Sequence, residues 1–219
     1  MIALSWSGGK DSARALEQLR EEGTPPGLLL TTVDEDSGRV THHHTSCEPL
    51  RLQAEVAGLP LVEIAVPTDA GTDAYSARMR SAFKSSALRD VHAVAFGDLF
   101  LEDLREFRTQ RLAEVGMSPL FPLWNRDTQR LAEEVIDRGY DATLVSVDPS
   151  ALDSLMLGRR FDRELLSELP SGIDPCGENG EFHTFVSSCP CFSRQIAVGA
   201  GAMLERDGFP VLELLSANP

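Results

Sequence analysis

Two short polar segments stand out because their residue types can do chemistry. The first is the hexapeptide Ser-Gly-Gly-Lys-Asp-Ser at 7–12, which follows a short apolar run and opens a helical pattern. Glycine has no Cβ atom, so a chain with Gly8 and Gly9 can turn sharply and direct successive backbone N–H groups at one anion. A helix that begins here adds unpaired N–H donors and about half a positive charge. The segment therefore predicts a phosphate-binding loop, called the phosphate loop below.

The side chains of the phosphate loop fit the same purpose. Ser7 and Ser12 can donate hydroxyl hydrogen bonds, and Lys10 adds a formal positive charge. Asp11 would repel a phosphate unless Mg²⁺ lies between them, so we expect Asp11 to be a magnesium ligand. The loop is not a Walker A sequence, which needs a glycine five residues before its Gly-Lys pair and Ser or Thr directly after the lysine. It is not a dinucleotide-binding fingerprint, because the third glycine is missing at the required offset. A plain capped glycine turn is the alternative, but all six positions have a phosphate-binding rationale.

The second segment, called the acidic segment below, is Gly-Glu-Asn-Gly-Glu-Phe-His-Thr at 177–184. It places two glycines, two carboxylates, an amide and an imidazole within eight residues. Such a stretch is a poor core element, because buried carboxylates need partners. A solvated hairpin turn is the alternative, since Asn-Gly is common in type I′ turns. The residues alone leave a functional site and a surface turn both open.

The elements that must position these segments follow from the apolar periodicity of the first half. Strands are predicted over 2–6, 28–33, 61–65 and 91–96, and helices over 11–22, 48–57, 74–88 and 102–115. This alternation implies right-handed crossovers and a doubly wound, mostly parallel α/β sheet. Ligands bind at the carboxyl ends of such strands, so Gly97 and Asp98, after the fourth strand, are predicted to line the site.

The pattern changes near residue 118, where Pro119 and Pro122 interrupt any helix. A further helix is predicted over 127–138. Strands are predicted over 142–147, 183–186, 196–198 and 211–214. We therefore expect a first domain at 1–117 and a smaller α+β lobe at 118–219.

The overall charge and composition exclude several classes of protein. The formal net charge is −14, which disfavours binding to nucleic acid or to an anionic membrane surface. No apolar run approaches the ~18–20 residues that cross a bilayer, and the start lacks the basic stretch of a signal peptide. Four cysteines without the paired spacing of a secreted scaffold predict a reduced, cytoplasmic protein.

Both segments resemble signatures of known families. The phosphate loop resembles the PP-loop of N-type ATP pyrophosphatases, also called adenine-nucleotide alpha-hydrolases, which cleave ATP between its α and β phosphates. The acidic segment resembles the GE-x-GE-[YF]-x-T signature of the diphthine–ammonia ligase family, as do the stretches 96–108 and 122–124. This resemblance spans nearly the whole chain. It implies a flavodoxin-like sheet, an ATP-binding domain at 1–117, a substrate-binding lobe at 118–219, Mg²⁺, and adenine near Thr32.

The resemblance also implies a reaction. In that family the carboxylate of diphthine is adenylated with release of pyrophosphate, and ammonia then displaces AMP to give the amide. Catalytic roles are implied for Lys10, Asp11, Glu178 and Glu181, with one glutamate binding ammonium and removing its proton. Contacts to the carboxylate-bearing substrate are implied for His44, Arg105, Arg108, Glu178, Asn179, Glu181, His183 and Thr184.

Asn179 and His183 depart from the typical archaeal and eukaryotic signature, which has Gly and Glu at these two positions. The version in this chain resembles the branch found in bacteria, which make no diphthamide. The natural substrate and the amine donor therefore stay open, as does the oligomeric state.

Three other interpretations compete. A nucleotide sensor would hold ATP without turnover and would need no convergent polar groups from the second lobe. A sulfur-transferring, tRNA-modifying enzyme would need a reactive thiol such as Cys176 and a basic surface, which the net charge disfavours. Zinc is weakly indicated, because structural sites usually show Cys-x₂₋₄-Cys pairs. The residues that could bind zinc are His42, His43, His44 and Cys47, or Cys176, His183, Cys189 and Cys191.

Overall fold

The protein is described from a computed structural model that covers residues 1–41, 45–68 and 71–216, leaving aside the side chains of residues 72 and 73. Its first sheet has five strands in the order β3-β2-β1-β4-β5, and every neighbouring pair is parallel. The strands are β1 Ile2–Ser5, β2 Leu28–Asp34, β3 Leu61–Val66, β4 Ala93–Ala95 and β5 Ser118–Leu120.

Helices cover both faces of this sheet. They are α1 Lys10–Glu21, α2 Cys47–Ala57, α3 Thr72–Phe83 and α4 Glu102–Ala113. Successive residues of β1 point to opposite faces: Leu4 packs in the core with α1 and α2, whereas Ala3 packs in the core with α3 and α4. Because both faces are buried, each strand is a short, nearly continuous apolar run, which explains why periodicity located these strands.

The doubly wound parallel α/β architecture expected from the sequence is confirmed. Its strand order, 3-2-1-4-5, is that of dinucleotide-binding folds, whereas flavodoxin has the order 2-1-3-4-5. The difference arises because β3 lies outside β2 instead of beside β1. The order reverses between β1 and β4, so their crossover helices leave on opposite faces and open a crevice at the carboxyl edge.

A second, antiparallel sheet has the order β7-β6-β9-β8. Its elements are α5 Thr128–Asp137, β6 Asp141–Val147, α6 Arg163–Glu168, β7 Phe182–Ser188, β8 Val198–Arg206 and β9 Phe209–Ser216. The strand expected at 196–198 begins only at Val198, so Ile196 precedes the strand. The small residues that follow show no alternation of apolar and polar side chains, so periodicity does not predict the rest of β8.

The second sheet packs on the α1 side of the first. Phe185 of β7 and Val135 of α5 share one buried core with Leu16 of α1. Ion pairs reinforce this contact: Arg14 Nε lies 2.8 Å from Glu134 Oε1. The acidic segment, whose last three residues are the first three of β7, is therefore held close to the start of α1.

The division between the two lobes stays a proposal. A boundary at 117/118 would separate β5 from β4, although Val94 is paired with Pro119 in the parallel sheet. We propose that the first lobe extends through β5. Within the described ranges, no helix has both the length and the apolar character needed to span a membrane.

Candidate functional site

The phosphate loop joins β1 to α1 and is held by its own side chains. Ser12 Oγ donates to the Gly9 carbonyl over 2.9 Å, and Gly9 N–H donates to Ser7 Oγ over 3.3 Å. Gly8 has a φ of +82°, a left-handed conformation that favours glycine. Gly9 has a φ of −84°, which other residues can adopt, so glycine is favoured there for lack of space and not for backbone conformation. A Cβ at Gly9 would lie 3.1 Å from the Thr184 carbonyl oxygen.

The structure brings the phosphate loop and the acidic segment into direct contact. Lys10 N–H donates to Thr184 Oγ1 over 3.1 Å, although 174 residues separate them. Val186 N–H donates to the Gly8 carbonyl over 3.0 Å, so β7 continues the contact. The Lys10 ammonium donates to the Cys176 carbonyl and to Asp11 Oδ2. One edge of the molecule thus carries both segments.

A cavity of about 640 Å³ lies at this edge, within the size range of small-molecule sites. The predicted site residues that line it are Ser7, Gly9, Lys10, Asp11, Ser12, Thr32, Gly97, Asp98, Arg108, Glu178, His183 and Thr184. Gly97 also serves packing, because a Cβ there would lie 2.9 Å from the carbonyl carbon of Asp11. The end of β4 therefore touches the first turn of α1.

Glu181 and Asn179 are not among the residues that line the cavity. The Glu181 carboxylate accepts hydrogen bonds from Asp174 N–H over 3.0 Å and from Asn179 N–H and Nδ2 over 3.0 and 2.9 Å. These bonds hold the turn of the acidic segment. The catalytic and substrate-binding roles expected for these two residues remain predictions, but their observed contacts are internal to the segment.

Arg105 and His44 also fall outside the observed lining. The Arg105 guanidinium lies over the Trp124 ring, 4.6 Å from its centroid, and 3.5 Å from Glu102 Oε1. Arg108 does line the cavity, but it pairs with Asp98 at 2.7 Å, so its charge is already partly neutralised. His44, together with His42 and His43, lies outside the described residues.

Carboxylates and one lysine dominate the polar end of the cavity. Asp11 Oδ2 lies 3.0 Å from Lys10 Nζ, and Asp11 Oδ1 is buried without a hydrogen-bond partner among the described residues. Burial raises the pKa of Asp11, and Lys10 opposes that rise. Burial lowers the pKa of Lys10, but the neighbouring acidic groups, with Asp11 first among them, together outweigh this effect and leave the pKa raised. Burial likewise raises the pKa of Asp98 against the effect of Arg108.

Asp11 Oδ1 has the character of a magnesium ligand. Mg²⁺ in nucleotide sites is held by one or two carboxylates together with phosphate oxygens and water. Across the described parts of the chain, no three His, Cys, Asp or Glu side chains are grouped so that they could hold an ion. A Mg²⁺ ion here would therefore need phosphate ligands in addition to Asp11.

Glu178 faces the same carboxylates. Its Oε1 accepts a hydrogen bond from Leu99 N–H over 2.7 Å, which joins the acidic segment to the loop after β4. Burial raises the pKa of Glu178 to about 7, and the negative charges of Asp11 and Asp98 add to the rise although the Leu99 N–H opposes it. A carboxyl group that titrates near neutrality can exchange a proton with a bound ligand.

This raised pKa predicts a pH-dependent stability. The unfolded carboxyl ionises near 4.5 and the native one near 7, so the native state binds more protons between these values and wild type loses stability as pH rises. The Glu178→Gln variant keeps an acceptor for the Leu99 N–H, but its side-chain amide does not titrate and causes no such loss. Relative to wild type, the variant should gain about 1–3 kcal/mol in free energy of unfolding between pH 5 and pH 8. Urea denaturation of nucleotide-free protein measures this, and a pH-independent difference would contradict it.

Sequence reasoning missed the residues of α3 and α4 that line the cavity. Tyr75 and Ser76 of α3 line it, as do Phe107 and Leu112 of α4. Ser76 is only 3 % exposed, and its hydroxyl has no hydrogen-bond partner in the described structure. The sequence signal was weak, because α3 has a mixed polar and apolar surface with no recognisable motif.

The cysteines of the C-terminal third do not resemble reactive thiols. Cys176, Cys189 and Cys191 are buried and not disulfide-bonded. Burial raises the pKa of the Cys176 thiol, whose Sγ donates to the Thr128 carbonyl over 3.3 Å. Because the thiolate is the nucleophile, a raised pKa opposes the sulfur-transfer interpretation.

Both lobes match models of one protein family. Residues 1–119 match the diphthamide synthase N-terminal domain, and residues 127–208 match the diphthamide synthase C-terminal domain. The chain belongs to the diphthamide synthase family. In this diphthamide synthase family member the two matched regions contribute the phosphate loop and the acidic segment, respectively, to one cavity.

Its relatives include proteins named diphthine–ammonia ligase. The zebrafish protein, from Danio rerio, is 27% identical over 219 residues, covering 89% of this chain and 84% of the relative. The human and bovine proteins are each 30% identical over 121 residues, covering 52% of this chain and 45% of the relative. The chain thus spans less than half the length of these two mammalian relatives. A crystal structure described as a predicted subunit of tRNA methyltransferase from Methanocaldococcus jannaschii is similar at 16% identity, with a TM-score of 0.46 over 86% of this chain and 97% of that one.

Proposed function

We propose that this chain is an ATP-dependent ligase that adenylates a substrate carboxylate, releases pyrophosphate, and transfers the acyl group to ammonia. The observation that carries the proposal is the bond between Lys10 N–H and Thr184 Oγ1, which joins the two signature segments at one cavity. An adenylating enzyme needs this arrangement, because the acceptor must lie about 3–3.5 Å from the α-phosphorus. The names of the relatives are consistent with such a reaction.

ATP is placed with its phosphates on the phosphate loop. Backbone N–H groups at the start of α1 and the hydroxyl groups of Ser7 and Ser12 are the proposed donors. The base would lie near Thr32, at the carboxyl end of β2. Asp11 Oδ1 would hold Mg²⁺, which would neutralise phosphate charge.

In the first step a carboxylate oxygen of the substrate forms a bond to the α-phosphorus. The bond to the bridging oxygen breaks, and pyrophosphate leaves with its electron pair. Lys10 lines the cavity and would offset charge on the phosphates during this step. The substrate carboxylate is ionised, so this step needs no general base.

In the second step ammonia attacks the acyl carbon and AMP leaves. Glu178 is the proposed proton acceptor, because its pKa of about 7 allows it to take a proton from the attacking ammonia. His183 and Thr184 also face the cavity and would contact the acceptor. These polar groups from the second lobe count against a sensor that only holds the nucleotide.

The products decide this proposal. The protein should form AMP and pyrophosphate when it is incubated with ATP, Mg²⁺ and ammonium. The substrate would be supplied by a panel of carboxylic acids or by a cell extract. Asp11→Asn should remove that activity, whereas Asp90→Asn, at an exposed surface position, should retain it. Clean formation of ADP and orthophosphate that Asp11→Asn removes would contradict attack at the α-phosphorus.

A further inference from the structure

Gln53 of α2 is a fully buried polar side chain whose bonds converge on the phosphate loop. It is 0 % exposed, and its Oε1 accepts a hydrogen bond from Trp6 Nε1 over 2.9 Å. Its Nε2 donates to the Gly8 carbonyl over 2.9 Å and to the Val186 carbonyl over 2.7 Å. One amide group thus contacts the residue after β1, the phosphate loop and β7.

The bond to Gly8 controls the direction of a peptide group. In a trans peptide the C=O of Gly8 and the N–H of Gly9 point in opposite directions within one plane. Because Gln53 holds the carbonyl on the side away from the cavity, the Gly9 N–H is directed to the other side, where Ser7 Oγ accepts it. Two adjacent glycines give little steric resistance to rotation of this peptide, so its direction depends on such bonds.

The same amide connects the loop to the second lobe. Val186 of β7 is bonded twice: its carbonyl accepts from Gln53, and its N–H donates to the Gly8 carbonyl over 3.0 Å. The amide packs directly against the loop backbone, since a Cβ on Gly8 would lie 2.7 Å from Gln53 Oε1. The phosphate loop and β7 therefore share one buried anchor.

We propose that Gln53 is a positioning residue for the phosphate loop. It keeps the Gly8–Gly9 peptide turned so that its N–H, not its carbonyl oxygen, faces the anion, and it couples this orientation to β7. This inference rests on the proposed function, because the anion in question is the triphosphate of ATP. It assigns Gln53 no direct contact with the ligand.

The test is Gln53→Met, which keeps similar volume but removes every amide bond. At a temperature where the variant remains folded, its affinity for ATP should be weaker by about tenfold or more. The Gly8 carbonyl would keep only its bond from Val186 N–H among those described, so the peptide could rotate more easily and present its carbonyl to phosphate. Gln129→Met, which removes an exposed glutamine whose side chain donates to Glu133, is the matched control and should leave the affinity unchanged. A folded Gln53→Met variant that binds ATP within twofold of wild type would overturn the proposal, because a purely structural role lowers stability alone.

A spectroscopic measurement keeps the inference testable without the variant's affinity. The chain has two tryptophans, so a ¹H–¹⁵N spectrum should show two indole N–H signals, of Trp6 and Trp124. In wild type, ATP should shift the Trp6 signal, because its indole shares the Gln53 amide with the loop. An unshifted Trp6 signal in a wild-type protein that binds ATP would overturn the proposal even if Gln53→Met fails to fold.

Failure of the proposed function gives a different result. Wild-type protein that binds neither ATP nor pyrophosphate would refute ATP binding at this loop. The Gln53 anchor would then be judged in the ligand-free state, where Gln53→Met should move the Trp6 indole signal and spare that of Trp124. An unchanged Trp6 signal in the folded variant would refute the anchor itself.

Discussion

Replacement of Gly9 with valine is expected to abolish ATP binding. The Cβ atom would already lie 3.1 Å from the Thr184 carbonyl oxygen and 3.4 Å from Ser7 Oγ, and the two methyl groups of valine would extend further. The loop would have to move away from β7, which would break the bond between Lys10 N–H and Thr184 Oγ1. Since the donors of the loop act together on one phosphate group, we expect a loss of affinity of at least about 100-fold by calorimetry.

Gly199→Val provides a matched control. Gly199 lies in β8, is not among the residues that line the cavity, and has no positive φ. Apart from its two chain neighbours, no atom of the described residues would lie within 4 Å of its Cβ. It should bind ATP as wild type does. Retention of wild-type affinity by a folded Gly9→Val protein would refute the assignment of residues 7–12 as the phosphate site.

Replacement of Lys10 with methionine is expected to reduce AMP formation by about 10²–10³-fold, as loss of a preorganised hydrogen-bond donor does in other enzymes. Lys10 is 2 % exposed, and its ammonium lies 3.0 Å from Asp11 Oδ2 and 5.2 Å from the Phe182 ring centroid. Without it, a triphosphate would meet Asp11 and Glu178 without the ammonium charge that lies beside Asp11. Repulsion between these groups would raise the transition-state energy and weaken ATP binding.

The pH profile adds a second readout for this variant. Lys10 lowers the pKa of Asp11, so its removal should raise that pKa and keep Asp11 protonated to a higher pH. The residual activity should therefore decline at a higher pH on the acid side than in wild type. The other lysine of the chain, the exposed Lys84, allows Lys84→Met as a control with unchanged turnover. Turnover by Lys10→Met within tenfold of wild type would show that the ammonium does not act on the reacting phosphates.

The sequence alone was sufficient to predict those features whose residues are close together in the chain. The phosphate loop lies within six consecutive residues, so its glycines, hydroxyls and charge could be recognised together. The parallel strands were found because a sheet buried on both faces needs short, continuous apolar runs. The position of Gly97 and Asp98 at the cavity followed from the general rule that ligands bind at the carboxyl ends of such strands.

The order of the strands was decided only by the tertiary structure. β3 could pair beside β1 or outside β2, because a connection through a helix spans either distance, and local periodicity is the same in both cases. The extent of β8 was also beyond the sequence, since small exposed residues carry no alternation.

The clearest limit of prediction from the sequence lies within the acidic segment. Glu178 and Glu181 are the same residue type, three positions apart, yet Glu178 lines the cavity and Glu181 bonds to Asp174 and Asn179. The turn at Gly180, whose φ is +89°, accompanies this separation of the two carboxylates. Gln53 is similar: its sequence position shows only a polar residue in an apolar helix face, while its partners are Trp6, Gly8 and Val186. A local pattern can name the donors and acceptors of a site, but a buried group bonds whichever partner lies within about 3 Å, and residues distant in sequence reach that distance only through the fold.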